Sequence, residues 1–198
     1  MKPAAPYYAI AILGAMNATT AFATDTSLYA EAPPADASFV RFAGFGTDEK
    51  ATFAGKTFTL KADEKLAYTP VSAKALNGVE AGSYLTVVRS DDGVLHAIPE
   101  DPRASAAKVS LYLVNATDQA LELRLADGSV TVIGAVDPMA SGLRAVNPVA
   151  ISLGVFQHGN DAPLATFDVA LRRGQNMTFL ADQKGVRLIE NRFGAVAK

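Results

Sequence analysis

The chain has 198 residues, of which 49% are hydrophobic and 19% charged, with no cysteine and a formal net charge of −2. The hydrophobic content excludes an intrinsically disordered protein, and the length allows one large domain or two small ones. The weakly acidic balance excludes the strongly basic surface that binds nucleic acid or an anionic membrane.

The first 23 residues have the pattern of a cleaved signal peptide. Lys2 precedes a mostly apolar run at residues 7–22, and Ala21-Phe22-Ala23 provides the small-x-small motif that signal peptidase accepts. The run is short and interrupted by polar residues, whereas a membrane span needs roughly 20 apolar residues; an uncleaved anchor is the alternative. Because an exported protein without disulfides suits a bacterial periplasm, we expect a periplasmic protein.

Period-two alternation, the pattern of half-buried strands, dominates the remaining sequence. Turn dipeptides such as Asp92-Gly93 and Asp127-Gly128 separate the alternating segments. Residues 65–77 come nearest to a helical period but contain Pro70. The pattern predicts an all-β protein whose core faces include three apolar sets: Val109, Leu111 and Leu113; Leu121, Leu123 and Leu125; and Val149, Ile151, Leu153 and Val155.

Two prolines interrupt the alternation at residues 98–103, where the charge balance also changes. Residues 24–102 carry 7 basic groups, mostly Lys, and 12 acidic groups, whereas residues 103–198 carry 10 basic groups, mostly Arg, and 8 acidic ones. Compositional drift is one explanation. The other is that the two parts face different partners, since the planar guanidinium of Arg suits interfaces and carboxylate recognition. We interpret the interruption as a linker.

An internal repeat supports two modules. Residues 79–94 align without gaps on residues 171–186, and residues 39–42 resemble residues 110–113. Chance similarity between β-hairpins is the alternative explanation; a duplication predicts two tandem β-sandwich domains, Ig-like or carbohydrate-binding-module-like. The identical pairs are Gly82/Gly174, Thr86/Thr178, Gly93/Gly185 and Val94/Val186. The predicted organisation is a signal peptide (1–23), an N-terminal arm (24–36), module 1 (37–98), a linker (99–107), module 2 (108–192) and a tail (193–198).

The sequence lacks the residue patterns of an enzyme or a metal site. Its two histidines, His96 on a predicted strand and His158 in a predicted turn, have no second His or Cys at ligand spacing. No G-x-S-x-G elbow is present. The paired carboxylates lie in polar turns, where solvated charge is the ordinary role; they are Asp48-Glu49, Asp63-Glu64 and Asp91-Asp92. We therefore predict a non-catalytic protein without a cofactor or metal, and keep an unrecognised esterase or transferase site as an alternative.

Surface recognition is the remaining class of function. Tyr29, Tyr84 and Tyr112 can anchor an interface or stack on sugar rings. Arginines and amides can bind carboxylates or partner surfaces. The alternative role of these tyrosines is to cover the edges of the modules. The candidate contacts with a partner or a polysaccharide are Tyr29, Arg41, Tyr112, Arg144, Asn147, Arg172 and Arg173.

Several stretches, in the same order and spacing, resemble the AlgF family. The most specific is Asn147-Pro148-Val149 ahead of its alternating strand. The resemblance spans nearly the whole mature chain and is looser over residues 46–75. The stretches that carry it are residues 27–33, 37–41, 100–102, 115–118, 121–128 and 144–157.

The resemblance implies a periplasmic accessory protein of alginate O-acetylation, with tandem β-sandwich modules. The resemblance implies that the protein works beside a membrane-bound O-acyltransferase and periplasmic SGNH-type O-acetyltransferases that acetylate mannuronate. It also implies the role of an adaptor in exopolysaccharide and biofilm production. Similar components occur in bacterial cellulose acetylation, so the polymer stays open. A carbohydrate-binding module that contacts an anionic polysaccharide directly is the second hypothesis. We expect the arm at residues 24–36 to pack across the modules or to dock on a partner.

Overall fold

The computed structural model describes residues 31–61, 66–90, 92–103 and 105–197. They form fourteen strands and one short 3-10 helix, Ala73–Ala75, so the predicted all-β fold class is confirmed. In these ranges no helix has the length and apolar character needed to cross a membrane. The predicted signal peptide and Tyr29 lie outside the described residues.

The first half of the chain builds one sheet and one hairpin. The strands are β1 (Ala37–Ala43), β2 (Glu49–Phe53), β3 (Lys56–Leu60), β4 (Thr69–Ser72), β5 (Tyr84–Arg89) and β6 (Leu95–Glu100). The first sheet has the order β4-β1-β5-β6, and β2 pairs with β3 alone. Strand β1 is antiparallel to β4 and parallel to β5.

The second half builds two four-stranded sheets. The strands are β7 (Val109–Asn115), β8 (Leu121–Leu125), β9 (Thr131–Val136), β10 (Ala140–Val146), β11 (Ala150–Gln157), β12 (Pro163–Ala170), β13 (Asn176–Asp182) and β14 (Gly185–Glu190). The second sheet has the order β10-β7-β13-β14, and the third sheet has the order β12-β11-β8-β9.

These elements stack in four layers, and three apolar clusters fill the gaps between them. The β2–β3 hairpin packs on one face of the first sheet through residues such as Phe58 and Phe42. The opposite face of the first sheet packs on the second sheet through Val88, Ile98 and Leu180, among others. The other face of the second sheet packs on the third. The buried residues of that largest cluster are Val109, Leu111, Leu113, Leu121, Leu123, Ile133, Val136, Leu153, Val155, Val169, Leu171, Phe179 and Ala181.

The first two sheets are built alike. In each, a strand pairs with one antiparallel and one parallel neighbour, and the parallel neighbour continues into a hairpin. Phe39 pairs with Tyr84 in the first sheet, and Ser110 pairs with Asn176 in the second. These pairs are the ones that the repeat in the sequence aligns, so the strand register supports a duplication.

The two modules differ in their outer layers. Module 2 is a complete sandwich of the second and third sheets. In module 1 the outer layer is the two-stranded β2–β3 hairpin, and the short helix and turns at residues 73–83 stand where module 2 has β11 and β12. Strand β6 includes Pro99 and Glu100, which the sequence analysis placed in the linker. The exact domain limits stay a prediction.

Candidate functional site

Arg41 lies at the centre of the contact between the first and second sheets. Along β1, Val40 and Phe42 face the hairpin, so the alternation of the strand turns Arg41 towards the second sheet. Its side chain is completely inaccessible to solvent. Arg41 was predicted from the sequence to contact an external partner, and this prediction is wrong, because the buried guanidinium cannot reach one.

Residues of both sheets satisfy the buried guanidinium. Within the first sheet, Nη2 donates to both carboxylate oxygens of Glu100 at 2.9 Å, and Nε donates to Thr86 Oγ1 at 2.9 Å. Across the interface, Nη1 donates to Asn191 Oδ1 at 2.9 Å and to Thr178 Oγ1 at 3.3 Å. Because the charge is both paired and fully hydrogen-bonded, the network tolerates burial and fixes how the two sheets align.

Tyr68 closes the network beside Glu100. Its hydroxyl donates to Glu100 Oε2 at 2.7 Å, and the Arg41 guanidinium lies 4.5 Å from the centre of its ring. Burial raises the pKa of the Tyr68 phenol far above its ordinary value. The phenol therefore stays protonated and acts as a hydrogen-bond donor.

The repeat explains which groups meet in this network. Thr86 pairs with Arg41, and the equivalent Thr178 pairs with Tyr112. Glu100 lies opposite Tyr84, and Asn191 lies opposite Asn176 through a backbone hydrogen bond of 2.8 Å. Arg41 and Glu100 in the first sheet thus correspond to Tyr112 and Asn191 in the second. The ion pair belongs to one repeat, and the other repeat supplies neutral hydrogen-bonding groups.

A cleft of about 330 Å³ opens above the network, at the end of the molecule where β5 and β13 begin. We call it the tyrosine cleft. Both repeats line it, because equivalent strand ends meet there. Its walls include Tyr68, Tyr84 and Tyr112, with Arg103, Asn176, Arg192 and Phe193 around them. Its floor includes Glu100 and Asn191 of the buried network.

The tyrosine cleft combines phenols, a cation and an unused acceptor. Burial raises the pKa of Tyr84 and raises that of Tyr112 to about 12, so both phenols are protonated donors at neutral pH. Arg103 is exposed and donates from Nη1 to the backbone oxygen of Gly174 at 3.0 Å. Asn176 Oδ1 is buried without a hydrogen-bond partner. Such an atom is costly unless a ligand supplies a donor.

Other predicted contact residues lie at this same end of the molecule. Lys108 Nζ donates to Asn147 Oδ1 at 2.6 Å, and the backbone of Lys108 accepts from Gly174 N at 3.2 Å. Arg172 and Arg173, both exposed, directly precede Gly174. The structure thus brings Tyr112, Asn147, Arg172 and Arg173 to one end. Arg144 is exposed on β10, two strand positions before the end of that strand.

A second concavity, which we call the hairpin groove, has a volume of about 920 Å³ at the opposite end of the interface. Ser90, His96, Asp182 and Lys184 of the β5–β6 and β13–β14 hairpins line it together with Met139. Each repeat again contributes equivalent elements.

Ser90, Asp92 and His96 converge at the edge of the hairpin groove, which the sequence analysis missed because they share no motif. Ser90 Oγ donates to Asp92 Oδ1 at 2.5 Å and lies 3.2 Å from His96 Nε2. A catalytic serine gives its proton to histidine, and the carboxylate orients that histidine. Here the serine hydroxyl donates its hydrogen bond to the carboxylate, and the carboxylate is not placed to orient the histidine as it is in a catalytic triad.

The same positions in the other repeat hold an ordinary cross-strand ion pair. Val88 pairs with His96, and the equivalent Leu180 pairs with Arg187. Ser90 and His96 therefore correspond to Asp182 and Arg187, which form a salt bridge. This correspondence favours a structural role for the Ser90–His96 contact.

No metal centre emerges from the described ranges, where no three His, Cys, Asp or Glu side chains come close enough to hold an ion. His158 lies in the turn after β11, with an exposed side chain 3.6 Å from Glu122. Asp48 has a left-handed backbone at the start of the β2–β3 hairpin. The neighbouring Glu49 pairs with Arg89 at 2.5 Å.

Comparisons with known proteins connect this arrangement to one family. A family model described as "Alginate O-acetyl transferase AlgF" matches residues 11–178. The alginate biosynthesis protein AlgF of Pseudomonas fluorescens is 30% identical over 79% of this chain and 77% of its own length. The protein of the same name in Pseudomonas aeruginosa is 27% identical over 86% of this chain and 84% of its own length. The one in Azotobacter vinelandii is 26% identical over 83% of this chain and 81% of its own length.

One solved structure is also similar. It is that of the C-terminal domain of AlgF from P. aeruginosa, 25% identical, which covers 42% of this chain and 96% of that one. Its TM-score is 0.35.

Proposed function

Because this chain belongs to the AlgF family of alginate biosynthesis and O-acetylation, we propose that it is a non-catalytic periplasmic adaptor of an exopolysaccharide O-acetylation complex. Its partners in this proposal are a periplasmic SGNH-type O-acetyltransferase and a membrane-bound O-acyltransferase. The polymer in this proposal is alginate, after which the relatives are named, and its mannuronate residues carry the acetyl groups.

One observation carries the adaptor proposal: the Arg41 network joins the two modules, and the joined body presents a concave surface at each end. An adaptor has to hold two partners at a fixed separation. A buried charge that is hydrogen-bonded by both sheets resists sliding or hinging, because any shift would leave that charge unsatisfied. The tyrosine cleft and the hairpin groove are therefore held in a constant relation.

The arrangement of Ser90, Asp92 and His96 supports an adaptor over a catalyst. The serine proton is directed to Asp92, and the same pair of positions holds a salt bridge in the second repeat. Neither feature is what acyl transfer requires of a nucleophile and its base.

The test is acetylation in a living producer. Deleting the gene should lower the acetyl content of the secreted polymer, and the wild-type gene should restore it. A tagged copy should co-purify with the SGNH-type acetyltransferase under mild detergent. Normal acetylation in the deletion strain, together with no recovered acetyltransferase, would reject the adaptor role. Sugar composition of the affected polymer decides between the two systems: mannuronate indicates alginate, and glucose indicates cellulose.

Direct binding of the polymer is the competing function, and the Arg103 cation in an aromatic cleft is what favours it. It predicts measurable affinity of the purified protein for mannuronate oligomers, and that affinity should weaken as salt rises because the polymer is anionic. Flat titrations at low salt would reject it.

A further inference from the structure

We propose that the tyrosine cleft is a docking site for a protein partner and that it takes an extended acidic segment. In this arrangement a carboxylate of the segment pairs with Arg103, and a backbone N–H of the segment donates to Asn176 Oδ1. The inference rests on the adaptor function and goes further by naming the surface and the chemistry of what binds there.

Charge at this end of the molecule favours an acidic occupant. The chain as a whole has a net charge of −2, yet Arg103 and Arg192 line the cleft. Three further cations, Lys108, Arg172 and Arg173, lie on the adjoining segments joined by the Gly174–Lys108 backbone bond. The acids are Asp101 and Glu100, which line the cleft, and Glu190, which accepts from Gln175 at 3.0 Å. Because Glu100 is already paired with Arg41, the remaining charges leave a local positive excess. Such a patch accelerates encounter with an acidic surface and selects against basic ones.

The unused acceptor at Asn176 points independently to a ligand. Its Oδ1 is buried and has no hydrogen-bond partner, although Asn176 lines an open cleft. Buried polar side-chain atoms are nearly always satisfied in folded proteins. Beside a cleft, a donor from a partner satisfies this oxygen once the Asn176 side chain turns towards the opening. A carboxylate has no donor of its own, whereas the backbone N–H beside it does.

Ring packing disfavours a sugar in the same place. Phe39 stacks on Tyr84 with ring centres 4.6 Å apart and planes at 18°. Tyr68 meets Tyr84 edge-on, and the Arg41 guanidinium lies over the Tyr68 ring. Sugar rings bind aromatic side chains by stacking on a free face, and one face of Tyr84 and one face of Tyr68 are already used within the protein. The volume of about 330 Å³ above a closed floor suits one or two inserted side chains.

The experiment measures binding of the full mature chain to the purified SGNH-type acetyltransferase of the same organism, by calorimetry at low and moderate salt. Arg103→Glu should weaken binding at least tenfold, and the wild-type affinity should fall as salt rises. The matched control is Lys50→Glu, which makes the same charge change at an exposed position on β2. It should stay within twofold of wild type.

A second variant separates binding from folding. Asn176→Ala removes the unsatisfied acceptor, so its Tm should equal or exceed that of wild type while its affinity falls several-fold. A structural role for Asn176 would lower the Tm instead, and this result would overturn the assignment of Asn176.

The remaining outcomes distinguish the two proposals. If wild type binds the acetyltransferase and Arg103→Glu binds it equally well, the docking site is overturned and the adaptor function stands. If wild type does not bind the acetyltransferase, the docking site is overturned, and the adaptor function falls with it when the deletion strain also acetylates its polymer normally. A parallel titration with mannuronate hexamers completes the test: saturable binding that is lost in Arg103→Glu would make the cleft a polymer site and overturn the protein-docking proposal.

Discussion

Arg41 and Asn191 are 150 positions apart in the sequence, and the guanidinium of one donates to the side-chain oxygen of the other at 2.9 Å. This bond crosses from the first strand of module 1 to the residue that follows the last strand of module 2. The alignment of the two modules thus depends on a polar contact between opposite ends of the chain, in addition to the apolar cluster around Val88 and Leu180.

Removing the partner of Arg41 should destabilise the whole molecule. Glu100→Gln leaves a buried guanidinium without its counter-charge, and breaking a buried pair in this way costs about 3–5 kcal/mol. Urea unfolding monitored by circular dichroism measures the change. Glu80→Gln, at an exposed position, is the control and should change stability by less than about 0.5 kcal/mol. Equal midpoints for the two variants would contradict the role of the pair.

Replacing both members of the pair should recover part of the loss. In Arg41→Met combined with Glu100→Gln, no charge remains buried, so the double variant should be more stable than Glu100→Gln alone. Denaturant midpoints of the single and double variants form the comparison. A double variant as unstable as the sum of its parts would mean that the two side chains act independently.

Alkaline pH should lower the free energy of unfolding through Tyr112, which lines the tyrosine cleft. Burial raises the pKa of Tyr112 to about 12, whereas a tyrosine in the unfolded chain titrates near its ordinary value of 10.0. The folded state therefore holds the proton more tightly, and this contribution to stability is complete below pH 10 and is lost as the pH rises from 10 to about 12. Unfolding curves at pH 9 and pH 11 should show a smaller loss for Tyr112→Phe than for wild type. An equal loss of stability between pH 9 and pH 11 in both proteins would contradict the role of the Tyr112 phenol.

The second and third sheets approach too closely at Gly142 for a larger side chain. A Cβ there would lie 2.7 Å from Ile133 Cγ2 and 2.8 Å from Val136 Cγ2. Gly142→Ala should therefore destabilise by about 1–3 kcal/mol, the usual effect of overpacking. Gly134→Ala in β9 is the matched control, since a Cβ there meets nothing within 4 Å. A neutral Gly142→Ala would show that the two sheets can separate slightly at no cost.

Ser90 should be dispensable for acetylation. Its hydroxyl bonds Asp92 and Val94 within one hairpin, so Ser90→Ala should fold normally and restore the acetyl content of the polymer in a deletion strain. The measurement is acetyl per uronate in purified polymer. A folded, well-expressed Ser90→Ala protein that failed to restore acetylation would revive the esterase or transferase alternative.

The strand pattern in the sequence predicted most of the core of module 2, although Val149, which it assigned to a core face, is 47% exposed and precedes β11. Val109, Leu111 and Leu113 form one face of β7 and belong to the largest cluster, as the alternation indicated. The opposite face of the same strand carries Ser110, Tyr112 and Val114, and it is buried too. Alternation marks a strand as half-buried only when one face meets solvent. Here the first sheet covers the second face, and nothing in the local sequence reveals this.

The candidate site was predicted in part. Tyr84, Tyr112, Asn147, Arg172 and Arg173 do lie at one end, but Asn176, which completes the cleft, was not selected. It occupies the position two before Thr178, as Tyr84 does before Thr86, so the repeat held the signal that could have found it. Arg41 was misplaced because an arginine on a strand is ordinarily exposed, and its burial depends on contacts between modules that are distant in sequence.

The unequal distribution of the ion pair between the repeats bears on self-association. Two copies of the first sheet, brought face to face from separate molecules, would each bury Arg41 with its own Glu100 but would lack the Thr178 and Asn191 acceptors that the second sheet supplies. Pairing of two first sheets is thus penalised by unsatisfied guanidinium donors, and contact of the first sheet with the second sheet is favoured over it.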